Sequence, residues 1–183
     1  MNCVDTNNSK IRLFHVSEES DIRIFHPRAP KRSDLDPSIP LVWAVSENRL
    51  VNFLTPRDCP RVCFHKTANT SDEDLSLFSS KNIQSVVAIE SAWFERMKAA
   101  KLYLYEFNPE NFYLQDPCAG YYVSEKTETP VSVTIIDDVF SSLFERKAEI
   151  RILDNLWPLA NRIKKTKLDW SLCRMKNALA CPE

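Results

Sequence analysis

The sequence predicts an α+β domain, and three observations carry that reading. Short β-branched or aromatic runs recur along the chain, several of them in tandem. Helical stretches fall between them irregularly, without the strict alternation of a doubly wound parallel sheet. The 183 residues, 44% hydrophobic and 10% aromatic, supply enough bulk for one core. Residues 11–183 read as that single domain. Residues 1–10 (MNCVDTNNSK) are polar and are expected to be disordered or loosely ordered.

Taken in order, residues 11–16 (IRLFHV) form the first strand, ended by the polar Ser17-Glu18-Glu19-Ser20. A short helix through Ile22 and Phe25 is expected before Pro27 and Pro30 stop it. Residues 27–40 hold four prolines and read as a loop. LVWAVS (41–46) is a second strand, and Ser46 is placed to cap a helix running to about Leu54. Pro56 and Pro60 bracket a turn before a third strand, RVCFHK. Residues 70–74 place capping groups before a short helix with Leu75, Leu77 and Phe78. SVVAIE (85–90) is a strand, and Ser91 opens a helix carrying Trp93, Met97 and Ala100. KLYLYEF (101–107), AGYYVSE (119–125) and PVSVTII (130–136) read as strands. A helix is expected over 138–147, a strand over 149–153, and a helical region from about Trp157 to Ala180.

Composition removes several function classes. Glycine occurs once, at Gly120, beside 11 prolines. A phosphate-binding P-loop and a GxGxxG dinucleotide turn need several glycines, because the backbone must take φ > 0 and approach phosphates closely. The nucleophile elbow GxSxG is also absent, which disfavours a serine hydrolase. With 24 Lys plus Arg against 25 Asp plus Glu, the net charge of −1 gives no general pull toward nucleic acid or anionic membrane. No apolar run approaches the roughly 20 residues that span a bilayer, and residues 1–10 carry no secretory h-region. A soluble, cytoplasmic protein that does not engage membranes is the expectation, with its cysteines reduced.

Few residues can carry chemistry. Cys59-Pro60-Arg61-Val62-Cys63-Phe64-His65 groups three soft ligands, but no fourth for a zinc site. It reads as a loop cysteine followed by a buried strand cysteine. His15 ends the first strand on the apolar side shared with Ile11 and Leu13, where a structural histidine satisfied by one backbone bond is the ordinary outcome. His26 and His65 have weaker claims, and no signature supports a cysteine nucleophile with a histidine base. Arg162, Lys164, Lys165 and Lys167 form a basic stretch, which is most simply a solvated face.

The run LFHVS, the strand LVWAVS leading into a helix, KLYLYEF, YLQDP and AGYYVSEKTETPVSV follow one another in an order that resembles ADP-ribosyltransferase-like folds. The small rifamycin-inactivating ADP-ribosyltransferases are the nearest in kind, over about residues 11–136. IRLFHVSEESDI, FLTPRDCPRV and LDNLWPL also resemble an uncharacterised bacterial family across nearly the whole chain, with no activity attached. The first resemblance implies two small, mainly antiparallel sheets around a cleft with peripheral helices. It implies NAD as substrate, with ADP-ribosyl transfer or NAD hydrolysis, the acceptor (protein, nucleic acid or small molecule) being undefined. Carried over by position, His15 would bond the adenosine ribose and Ser17 stands where a threonine follows it. Trp43 takes the aromatic position that is usually tyrosine, where it can stack a pyridinium. Asp116 takes the acidic position near the developing cation, with Glu106 and Glu125 as competitors. Arg57 resembles a Pro-Arg turn that meets phosphate or substrate; a solvated arginine paired with Asp58 is the plainer reading. Val16 departs from the expected glycine. The alternatives are an inactive relative that binds a nucleotide or a partner, and an RNA 2′-phosphate-removing enzyme using Arg12, Arg57, Arg61 and His65.

Overall fold

The computed structural model describes residues 11–30, 32 and 34–182; the expectation for residues 1–10 lies outside them. Among the described residues, ten strands and four short α-helices follow one another. They are β1 (Leu13–Ser17), β2 (Val42–Ser46), β3 (Arg61–His65), α1 (Asp72–Leu75), β4 (Ser85–Glu90), α2 (Phe94–Lys98) and β5 (Leu102–Phe107). The chain continues through β6 (Tyr113–Asp116), β7 (Tyr121–Ser124), β8 (Ser132–Ile136), α3 (Val139–Glu145), β9 (Ala148–Leu153), α4 (Trp157–Ile163) and β10 (Asp169–Cys173).

Two sheets result. The first is antiparallel, in the order β6-β7-β2-β1-β5-β8; the second runs β10-β3-β4-β9, with β4 and β9 parallel. Side chains that alternate along each strand decide the packing. Phe14, Val45, Leu102 and Leu104 of the first sheet meet Cys63, Val87 and Ile89 of the second, with Met97 and Leu143 closing the layer. The opposite face of β3 and β4, with Val62, Phe64, Val86 and Ala88, packs on Leu156, Ala160 and Ile163 around α4. Both strands are therefore apolar on two sides, as their unbroken hydrophobic runs require. The outer face of the first sheet buries Leu13, Val42, Ala44 and Phe107 under Phe25 and Phe112.

Several expectations need correction. No helix forms through Ile22 and Phe25: Tyr105 Oη accepts from the Ile22 amide, and Phe25 exchanges backbone bonds with Glu128. Tertiary partners take the backbone groups that a helical turn would have used. The region after Trp157 is helical only to Ile163; residues 169–173 pair with β3 as an edge strand. The segment after Ser46 is a 3-10 helix (Glu47–Phe53), and the Ser46 hydroxyl donates to Asn48 instead of capping it. The helix after Ser91 likewise begins as a 3-10 turn. Residues 113–116 add a strand that their composition does not announce. The basic residues 162–167 are solvent-exposed around the end of α4 wherever they are charged.

Candidate functional site

The central pair of the first sheet opens at one end. β1 pairs with β2 at Leu13↔Ser46 and Phe14↔Val45, whereas β1 continues along β5 to Ser17 and β2 continues along β7 to Val42. The two strands thus part between His15–Ser17 on one side and Val42–Ala44 on the other. His15 Nδ1 spans the gap to the Trp43 carbonyl at 3.0 Å.

Two hollows meet at this opening, with volumes of about 500 and 510 Å³. The first takes its apolar wall from the layer between the sheets, including Phe14, Val45 and Leu102. The second lies under the strap of residues 19–30, against Phe25 and Val42. His15, Ser17, Trp43, Arg57 and Tyr121 line both. Each hollow alone matches an ordinary small-molecule site, and together they suit an elongated ligand with two ends.

Burial holds the His15 imidazole below the usual histidine range, and Arg57 and Arg28 add to the effect against the pull of the Trp43 carbonyl and Glu19. The ring is neutral at pH 7. Because a carbonyl can only accept, Nδ1 carries the proton and donates, which leaves Nε2 with its lone pair as an acceptor. Its other ring contact is with Phe25, 5.0 Å between centroids. Ser17 Oγ accepts from the Glu19 amide in a local turn and keeps its own proton for another acceptor.

The aromatic wall is larger than the sequence suggests. Tyr121 meets Trp43 edge-on at 5.3 Å and Phe53 at 5.5 Å. Burial pushes the Tyr121 phenol up to about 12, so it remains a neutral hydrogen-bond group. Its position depends on Gly120, which has φ +66° and accepts from the Ser46 amide. Arg57 stands at the tip of the turn closed by the Cys59 amide on the Pro56 carbonyl. It is 67% exposed, and its ion-pair partner is Glu19 at 3.9 Å, not Asp58.

Asp116 is not brought to this place. It lines neither hollow; it accepts from the Ala119 amide and faces Arg32 at 3.4 Å, and Arg32 does line the second hollow. Glu106 is held by Arg12 and Ser132, and Glu125 accepts from Tyr113. The carboxylates at the hollows are Glu18 and Glu19. The set Arg12, Arg57, Arg61 and His65 is not assembled either, since Arg12 sits between Glu47 and Glu106 and His65 is buried against Asn52. Cys59 and Cys63 are both buried in the layer between the sheets. Desolvation pushes Cys59 up to about 12 and Cys63 higher still, so both remain thiols. Among the described residues no group of histidine, cysteine and carboxylate could hold a metal, and no helix is long and apolar enough to cross a membrane.

Tyr121, Thr55, Phe53 and Arg174 are site residues that the sequence reading did not select. A tyrosine directly after the one glycine was the available signal for Tyr121. Arg174 had none, because β10 and the turn after it read as helix.

Fold and site together define an α+β protein with a cleft that opens between two parted strands of one sheet. The chain belongs to a family of unknown function, DUF6886, whose model matches residues 14–178. No curated protein and no solved structure matches the chain.

Proposed function

We propose that the cleft binds NAD, and that the protein transfers ADP-ribose or hydrolyses NAD on an ADP-ribosyltransferase-like architecture. The observation that carries this reading is the parted β1–β2 pair bridged by a neutral His15, with two hollows joined at His15 and Trp43. A dinucleotide has two nucleoside ends and a hydroxyl-rich ribose beside each. Nε2 of His15 and Oγ of Ser17 offer an acceptor and a donor for one ribose. Trp43, Tyr121 and Phe53 offer flat apolar surface for a ring, and the Trp43 face is suited to a pyridinium. Such a cleft does its work without a glycine loop.

Cleavage of the nicotinamide–ribose bond develops positive charge on the sugar, and a carboxylate near it lowers the barrier. The geometry offers Glu18 and Glu19 for that part. Asp116, to which the resemblance gives the role, lines neither hollow, although it pairs in register with Tyr121 and faces Arg32. That displacement is the observation favouring the second reading, an inactive relative that binds a nucleotide or a partner.

The test is His15→Ala, measured by NAD titration. Losing the acceptor leaves a ribose hydroxyl unpaired, so affinity is expected to fall by about 1–3 kcal/mol, over and above any fall in melting temperature from the lost bond to the Trp43 carbonyl. A variant that is destabilised yet binds NAD as the parent does would make His15 structural and remove this reading.

A further inference from the structure

The first hollow contains polar groups that folding alone does not explain. Thr55 is 3% exposed, and its Oγ1 is a buried side-chain oxygen with no hydrogen-bond partner. An inverse γ-turn sets it there, with the Thr55 amide on the Phe53 carbonyl across Leu54 at φ −76°, ψ 60°. Leaving such a hydroxyl unsatisfied works against folding. Arg61, 5% exposed, lines the same wall. Its guanidinium donates to the Asn52 and Cys59 carbonyls, and among the described residues no carboxylate stands within ion-pair distance of it. Carbonyls satisfy N–H groups but leave the positive charge unbalanced. Arg174 completes the wall just after β10, in the left-handed region at φ 56°, with its Nε donating to the Arg57 carbonyl at 3.2 Å. Against Arg57, Arg61 and Arg174, the lining of the hollow has one carboxylate, Glu18, with Glu19 outside it facing Arg57 at 3.9 Å.

We propose that this part of the cleft is a phosphoryl subsite in which Thr55, Arg61 and Arg174 hold the phosphate oxygens. It takes from the NAD reading only the location of the cleft, and it names the part of the ligand the first hollow receives. An anion supplies what the wall lacks, an acceptor oxygen for the Thr55 hydroxyl and a negative charge for Arg61, and Arg174 adds a second cationic fork beside them. Nearly neutral groups would leave the buried guanidinium charge uncompensated. Thr55 belongs to the site by chemistry and not by packing, since a valine fills the same volume.

The probe is inorganic pyrophosphate, titrated calorimetrically into the full chain and into Thr55→Val and Arg174→Gln. The parent is expected to bind it, and each variant to bind roughly fivefold to tenfold more weakly. Thr55→Val should melt at the same temperature as the parent or higher, because it removes an unsatisfied hydroxyl. NAD, titrated in parallel, separates the sources of the phosphate. NAD affinity that falls in step assigns the subsite to the dinucleotide's diphosphate. Pyrophosphate binding that weakens in the variants of a protein that ignores NAD keeps the subsite and removes the NAD reading. No pyrophosphate binding by the folded parent, or equal binding by all three proteins, overturns the subsite whatever NAD does.

Discussion

Between pH 6.5 and pH 4 the protein is expected to lose about 3 kcal/mol of stability through His65 alone. The side chain is 4% exposed, and its Nε2–H donates to Asn52 Oδ1 at 2.8 Å. Burial, with Arg49 adding to it, pushes the imidazole down to about 3. The unfolded chain takes up a proton near the ordinary histidine value of about 6.5, whereas the folded one refuses it until about pH 3. Protons therefore favour the unfolded state throughout that window: the contribution is complete above pH 6.5 and is lost as pH falls. His15 acts in the same direction. Denaturant unfolding at stepped pH measures the slope, and His65→Gln should be less stable at pH 7 yet decline less on acidification. Parallel slopes in the two proteins would show that His65 is protonated in the fold after all.

Gly120→Val should have an effect of similar size for a different reason. At φ +66° a β-branched residue is strained by about 1–2 kcal/mol. A Cβ there would also stand 2.5 Å from Ser46 Oγ and 2.6 Å from Arg49 Cγ, so neighbours must shift, at roughly 1–3 kcal/mol. Together these amount to about 2–5 kcal/mol, a drop in melting temperature on the order of 10 °C for a domain of this size. The loss would reach the cleft, because Gly120 sets the start of β7 and hence Tyr121. A Gly120→Val protein that melts with the parent would mean that this turn relaxes freely.

The strands that form the two cores were legible because their patterns are strong. SVVAIE is buried throughout and reads as a strand without help. The errors fall where tertiary partners overrule local preference. Residues 22–25 were given helical spacing, but their backbone is claimed by Tyr105 and Glu128. Asp169–Cys173 follows a helix and carries mixed polarity, because one edge of that strand has no neighbour and its register is set by β3. Of the site, His15 is legible from its place at the end of the first strand and Trp43 only through the resemblance; a hydrogen bond joins them across the gap. Thr55 is hidden in the sequence and Arg61 appears there only among the cations of the phosphate-removing alternative, because the unpaired state of a hydroxyl or a charge exists only once the fold decides its neighbours. Asp116 shows the converse: the resemblance puts it in the set, and β6 holds it beside Tyr121 but outside both hollows.

The most direct measurement is a thermal-shift titration of the full chain with NAD, followed by an assay for free nicotinamide. A ligand that binds only the native state at about 100 times its Kd adds ~2.7 kcal/mol. For a domain of this size that is a rise on the order of 5–10 °C. A saturable rise is expected, together with nicotinamide release; a rise without release would place the protein with the inactive nucleotide binders. No rise at millimolar NAD, in a protein whose melting is cooperative, would contradict the assignment of this cleft to NAD.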